Sequence, residues 1–319
     1  MRPGIGITLG DPRGIGPEVA AAALAARGLR EAARYVLIGP AGVRDARGDE
    51  VLAWEGDAES VGEWEPDGGA RLAGELSARA LERGIALATA GRIDGLVTGP
   101  ISKSALQAAG YPFPGHTEFL RDRTGVGEVT MMMAAERTPV GGPLRLALLT
   151  THLPLRDVPS TLTESLAVRR TRLAVRALRD WWGIPRPRVA FAGVNPHAGE
   201  GGLFGDEEAR VLEPAIERLE ADGDAELLGV FPADTVFRHA LEGSADVVVV
   251  PYHDVGLAVL KTLARDEGVN VTAGLPFPRT SPDHGTAFDI AGTGAADPGA
   301  MIAAIELCIR FCNAGVAIR

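Results

Sequence analysis

The chain has 319 residues, with 32 Lys and Arg against 42 Asp and Glu, and its formal net charge of −10 argues against a general nucleic-acid binder. At 46% apolar and 23% charged residues it has the make-up of a folded protein large enough for two domains, which excludes disorder as the main state. The most apolar stretch, MIAAIELCIRFC, is broken by Glu306 and Arg310 and falls short of the roughly 18 residues a membrane helix needs, so no membrane partner is expected.

The opening MRPGIGITLG runs straight into a strand-like segment without a signal-peptide core, and the expected location is the cytoplasm. From there short β-rich runs alternate with segments of helical period. IGITL precedes PEVAAAALAARG, RYVLIG follows, RLAGELSARALERGIALATAG leads to DGLVTG, and RLALLT leads to LTESLAVRRTRLAVRALRDWWG. The second half keeps the rhythm: RVAFAG before DEEARVLEPAIERLEADG, AELLGVFP before DTVFRHALEG, and DVVVVPYHD before GLAVLKTLARDEG. Repeated strand-then-helix order predicts an α/β fold with a largely parallel sheet or sheets, whose ligands gather at the C-terminal ends of the strands. Residues 42–69 are the least patterned and read as a surface connection with short strands. Cys308 and Cys312, four apart in a C-terminal helix, read as inert core thiols.

The first strand ends in GDPRGIGPE, Gly10 to Glu18, where three glycines and Pro17 suit either a tight turn before a helix or an anion held at the helix start. The glycine spacing matches neither the dinucleotide nor the phosphate-loop pattern. Lys103 follows Thr98 at another strand end, and reads either as an anion contact or as an exposed helix-start lysine. His116 and Thr117 stand just ahead of an amphipathic helix, where Thr117 also suits an N-cap. Three further histidines recur at one topological position: His152 after RLALLT, His197 after RVAFAG and His253 after DVVVV. Singly, each reads as a structural histidine; three at equivalent strand ends suit one divalent ion, with Asp254 orienting His253 or joining the ion itself. Lys261, Asn270 and Arg279 lie toward the C-terminus, with Arg279 suited to a carboxylate or phosphate and Lys261 on one helix with His253. DHGTAFDIAGTGAADP, Asp283 to Pro298, reads as a loop around a nucleotide, with Asp289 accepting from ribose hydroxyls and so favouring NAD over NADP. His239 reads as an ordinary helix-surface residue.

Taken together, GDPRGIGPE, TGPISK, GHTEFL, HLPLRD, NPHAGEGGLFGDEE, PADTVF, YHDVGLAVLK, VNVTAGLPFPRTS and DHGTAFDIAGTGAAD resemble the 4-hydroxythreonine-4-phosphate dehydrogenase family of vitamin B6 biosynthesis, over nearly the whole chain. The first and last also resemble the more distant isocitrate and isopropylmalate dehydrogenases. The resemblance implies two α/β/α domains with a cleft between them, residues 1–120 plus 266–319 on the nucleotide side and residues 121–265 for metal, substrate and dimerisation. It implies a homodimer with the active site at the subunit interface and an anionic small-molecule substrate. His152, His197 and His253 are the implied metal ligands, the third coming from the partner subunit, and the ion is Zn, Mg, Mn or Co. His116, Thr117, Lys261, Asn270 and Arg279 are the implied substrate contacts, and His284, Gly285, Thr286 and Asp289 the contacts to NAD or NADP.

The implied reaction is oxidation of 4-phosphooxy-L-threonine to a β-keto acid that decarboxylates to 3-amino-2-oxopropyl phosphate. Lys261 and Asp254 are the expected catalytic residues, Lys261 handling the proton of the hydroxyl. Two positions depart from the family pattern: Val255, where YHDQG is common, and Arg13, where a small residue is common. They keep open a paralogue that oxidises threonate or erythronate 4-phosphate or a carboxylated cis-dihydrodiol. From another class, a non-redox lyase or a metabolite-binding protein fits the same metal residues, although the nucleotide-like loop argues against both.

Overall fold

The structure is a computed structural model that describes residues 2–26, 28–54, 56–264 and 267–314. Its strands, in chain order, are β1 (Gly4–Thr8), β2 (Arg34–Ala41), β3 (Asp57–Glu63), β4 (Gly95–Thr98), β5 (Thr130–Ala135), β6 (Leu144–Leu148), β7 (Arg188–Ala192), β8 (Glu226–Phe231), β9 (Val247–Val250), β10 (Val269–Ala273) and β11 (Arg279–Pro282). The chain divides into two compact units, one of Met1–Glu128 with Leu275–Arg319 and one of Val129–Gly274. The expected division between residues 265 and 266 lies outside the described residues.

In the first unit the strands run in the order β3-β2-β1-β4-β11, and every neighbouring pair is parallel. Parallel strands covered on both faces need apolar side chains throughout, and Ile5, Ile7, Leu37, Ile38, Leu96 and Val97 are all buried. The helix Gly69–Thr89 buries Leu76, Ala80 and Leu81 at helical spacing. Gly10, at φ +78°, ends the first strand where a Cβ would lie 2.2 Å from the Pro100 carbonyl oxygen, so the first loop presses against the TGP turn. The C-terminal helix Gly299–Asn313 buries Cys308, and neither Cys308 nor Cys312 is in a disulfide.

In the second unit the order is β10-β5-β6-β9-β7-β8. Here β6, β9, β7 and β8 run parallel to one another, while β5 pairs antiparallel with both β6 and β10. Four successive valines make β9, all buried, as a strand between two covered faces requires. The helix Glu164–Asp180 starts at Thr163, whose side chain accepts from the Leu166 N–H, and buries Ala167, Thr171, Ala174, Val175 and Leu178 on one face. Mixed α/β with a largely parallel arrangement is as expected; the antiparallel β5 and β10 are additions. Among the described residues no helix is long and apolar enough to cross a membrane.

Candidate active site

In the first unit, the loop after β1 and the loop after β11 are stitched together. The Ile15 N–H donates to the Thr286 carbonyl at 2.9 Å, and the Gly292 N–H donates to Glu18 Oε2 at 2.8 Å. The helix Gly16–Ala25 therefore has one of the chain's own carboxylates, Glu18, in its first turn, which supports the turn reading of GDPRGIGPE over an anion cradle. Arg13 makes a two-pronged ion pair with the buried Asp11, Nε to Oδ1 at 3.0 Å and Nη2 to Oδ2 at 2.7 Å, and lies 4.9 Å from the Phe288 ring centroid. The departure at Arg13 thus belongs to the clamp between the two loops. His284, Gly285, Thr286 and Asp289 all lie on the second of these loops, with Gly285 and Asp289 exposed and His284 and Thr286 half-buried.

Beside them is a buried cation. Arg279, 1% exposed on β11, donates from Nη2 to the Thr98 hydroxyl at 2.6 Å. Parallel pairing sets Arg279 opposite Leu96 and Thr280 opposite Val97, and so brings it to the end of β4. Burial pulls its guanidinium down to about 9, which leaves it charged at neutral pH. His116 opens the helix His116–Thr124 and hydrogen-bonds the Gly99 backbone. Burial, and after it the nearby Arg279 charge, hold its imidazole well below the usual histidine range, so it is neutral at pH 7. Its Nε2 is buried without a hydrogen-bond partner among the described residues. The cap of this helix is Gly115, which puts Thr117 inside the first turn. Lys103 is an exposed helix-start residue behind the Ser102 cap. A fixed buried cation beside a neutral imidazole with a closed-off nitrogen has the chemistry to hold an anion.

In the second unit, His152 and His253 meet, their ring centroids 5.6 Å apart. The parallel course of β6 and β9 continues past the strands and causes this. The Leu149 N–H donates to the Val250 carbonyl at 2.9 Å, and the Thr150 hydroxyl donates to the Pro251 carbonyl at 2.7 Å. His253 then opens the helix His253–Leu263, and its Nδ1 lies 2.7 Å from Asp254 Oδ1. A carboxylate on Nδ1 fixes the ring and leaves Nε2 as the nitrogen that could ligate an ion. Lys261 is exposed on the same helix. Asn270, on β10 opposite Met133, has a buried Oδ1 without a hydrogen-bond partner among the described residues. Val255 packs against the core around Leu146, Leu148 and Leu257, so the departure from YHDQG adds to the core. His239 hydrogen-bonds Ser244 at 3.1 Å and leans on Phe231, an ordinary surface role as expected.

His197 follows β7, the neighbour of β9, but on a loop of unusual backbone. His197, Ala198, Gly199, Glu200 and Gly201 all have φ between +43° and +79°. For the three that are not glycine this costs roughly 1–2 kcal/mol each. The entry to this loop is anchored by Glu208, 4% exposed, whose Oε1 accepts the Val194 and Asn195 N–H groups at 2.7 and 2.8 Å and whose Oε2 accepts Asn195 Nδ2 at 3.0 Å. Hydrogen bonds to a charged group are worth about 1.5–3 kcal/mol each, the same order as the strain. A Cβ on Gly199, at φ +79°, would lie 2.9 Å from Glu208 Oε2, so the loop is shaped around the carboxylate. The His197 ring lies 6.2 Å from that of Phe204.

Among the described residues no three His, Cys, Asp or Glu side chains are grouped for a metal ion. The His152 and His253 pair, with Asp254 behind it, has the donor chemistry of such a site and needs further ligands to complete it. A groove of about 510 Å³ along the helix Glu164–Asp180 is lined by Arg172, Arg176 and Arg179, paired with Asp222, Asp180 and Asp224, and contains none of these residues. Sequence reasoning missed Glu208, which beside Glu207 reads as an ordinary first-turn acid, and the part of Asp11 in anchoring Arg13.

Comparison with known proteins agrees with the motifs. The family model described as "Pyridoxal phosphate biosynthetic protein PdxA" matches residues 41–308. The 4-hydroxythreonine-4-phosphate dehydrogenase of Desulfosudis oleivorans is 43% identical over 333 residues, covering 97% of this chain and 96% of the relative. The crystal structure of a 4-hydroxythreonine-4-phosphate dehydrogenase from Klebsiella pneumoniae superposes with a TM-score of 0.85 at 40% identity, over 98% of both chains. That of a terephthalate 1,2-cis-dihydrodiol dehydrogenase from Burkholderia xenovorans gives a TM-score of 0.66 at 29% identity, over 97% of this chain and 98% of that one.

Proposed function

The chain belongs to the pyridoxal phosphate biosynthetic protein PdxA family, and from that premise we propose that it is a 4-hydroxythreonine-4-phosphate dehydrogenase. It oxidises the C3 hydroxyl of 4-phosphooxy-L-threonine, and the β-keto acid loses CO2 to give 3-amino-2-oxopropyl phosphate. The observation that carries the reading is Arg279, buried and hydrogen-bonded to Thr98 beside the neutral His116, a charge that a fold keeps in its interior for an anionic ligand.

Arg279, His116 and Thr117 take the phosphate. His116 is neutral before the anion arrives and gains a proton on Nε2 as the dianion binds, so substrate uptake is coupled to proton uptake. Asn270 offers its amide to another polar end of the substrate. Lys261 receives the proton of the C3 hydroxyl and returns one to C2 once the carboxylate has left as CO2. His284, Gly285 and Thr286 hold the nucleotide, and Asp289 accepts from the ribose hydroxyls, which favours NAD over NADP. Bound at this loop, the nicotinamide supplies the hydride acceptor.

His152, His197 and His253 are the residues that would hold a divalent ion, with Asp254 orienting His253. The family resemblance, which draws the third histidine from a partner subunit, carries the homodimer in this reading. When bound, such an ion supplies Lewis acidity for the hydroxyl and for the charge that develops as CO2 leaves.

The test is NADH formation by the purified enzyme with Mg²⁺, Mn²⁺, Co²⁺ or Zn²⁺. The substrates offered are 4-phosphooxy-L-threonine, threonate and erythronate 4-phosphates, and a carboxylated cis-dihydrodiol. Turnover with the first is expected to exceed the others; no NADH from it would refute the assignment. Val255 in the core and Arg13 in its clamp leave both departures from the family pattern accounted for within the fold.

A further inference from the structure

We propose that Glu208 is a positioning residue that holds the His197 loop in the shape required for metal binding, an inference that rests on His197 being a metal ligand. The loop Pro196–Gly202 departs from regular helix, and six of its residues in succession, His197 to Gly202, have positive φ. A backbone of this kind persists only where its surroundings over-determine it. Central among those surroundings is the Glu208 carboxylate. Glu208 accepts the two N–H groups that follow Gly193, the residue after the end of β7, at 2.7 and 2.8 Å, and takes Asn195 Nδ2 at 3.0 Å.

Asn195 in turn donates to Glu207 Oε2 at 2.6 Å and accepts the Ala198 N–H on its carbonyl at 3.1 Å. It also fills the space where a Cβ on Gly205 would lie, 2.4 Å from its Nδ2. Both sides of the loop are therefore built onto Asn195 and Glu208, with His197 between them in sequence. Glu208 opens a π-helical turn, Glu208–Leu212, before the regular helix Glu213–Glu220. Such turns alter the facing of the side chains that begin a helix and occur often beside functional sites.

Nothing in this arrangement brings Glu208 to a reacting atom. Its carboxylate is used by the backbone and by Asn195, so its effect reaches the chemistry through the place of the His197 imidazole. Supporting residues of this kind commonly change metal affinity by about 10–100-fold.

The experiment is calorimetric titration of the metal-free full-length enzyme with Zn²⁺ for wild type, His197→Ala, Glu208→Ala and Glu208→Gln. Thermal unfolding in EDTA is run in parallel to separate folding from binding. Glu208→Ala is expected to bind Zn²⁺ about 10–100-fold more weakly while still folded at the titration temperature. Glu208→Gln keeps an oxygen for the two backbone N–H groups and should fall between Glu208→Ala and wild type, a rescue that a general loss of stability would not give. Should Glu208→Ala not fold, Glu208→Gln decides: weaker binding supports the proposal and wild-type affinity overturns it. Wild-type affinity in a folded Glu208→Ala, with His197→Ala impaired, would likewise overturn it. Wild-type affinity in His197→Ala would instead remove the ligand assignment on which the proposal stands.

Discussion

The two units carry their candidate chemistry in opposite ways. In the first, Arg279 is sunk into an all-parallel array, the Nε2 of the half-buried His116 is closed off from solvent, and the state of both is set by burial. In the second, His152 and His253 stand on a loop and a helix start at the ends of β6 and β9, exposed and half-buried, and Lys261 is exposed in the last turn of the helix that His253 opens. A buried functional group is part of the fold, so changing it changes stability as well as function. A group on a strand-end loop is held by the strands beneath it, and the two effects separate.

The largest effect expected is in the second unit. His253→Ala should lower metal-dependent turnover by more than about 10³-fold and leave the melting temperature within a few degrees of wild type, because the ring contributes little packing. Unfolding of the variant at assay temperature would break the contrast. Next is Arg279→Met in the first unit. Loss of a charged contact to an anion corresponds to about 1.5–3 kcal/mol, so KM for the phosphorylated substrate should rise roughly 10–200-fold. A buried charge replaced by an apolar side chain of similar length should leave thermal stability equal or higher. A normal KM would remove Arg279 from the site.

A smaller effect is expected from Arg13→Ala, which breaks the Asp11 and Phe288 clamp. KM for NAD should rise a few-fold with little change in KM for substrate, measured in one initial-rate series. An equal change in both would mean that the clamp supports the fold and not the loop.

The smallest effect is in the pH dependence of stability. His116 has a folded pKa below its unfolded value near 6.5, so between these two the unfolded chain binds the extra proton. Its contribution to stability is full above about pH 6.5 and is lost as pH falls toward the folded value, by at most ~1.4 kcal/mol per pH unit. His116→Gln should show a shallower loss of stability than wild type below pH 6.5, read by denaturant titration. Parallel curves would contradict a neutral His116 with its Nε2 closed off from solvent.

How much of this is legible in the sequence follows from the same division. Strands such as DVVVV, covered on both faces, leave uninterrupted apolar runs, and the strand–helix rhythm is plain. TMMMAA of β5 and RTSP of β11 lack that signature, the first mostly Met and Ala without strand preference and the second largely polar residues buried by their partners. The histidines announce themselves because parallel strands end at one edge. Contacts remote in sequence do not: Arg279 and Thr98 are 181 positions apart, and only pairing of β4 with β11 joins them. Glu208 is invisible for another reason, since two of its partners are backbone N–H groups, which no residue type reveals.

The most direct test of the account is the fate of the substrate carboxylate. With 4-phosphooxy-L-threonine labelled at C1, NAD and a divalent ion, the enzyme is expected to release one labelled CO2 for each NADH formed. Labelled CO2 without NADH would make the protein a lyase, and NADH without labelled CO2 would leave the decarboxylation to something else; either would contradict oxidative decarboxylation by this chain.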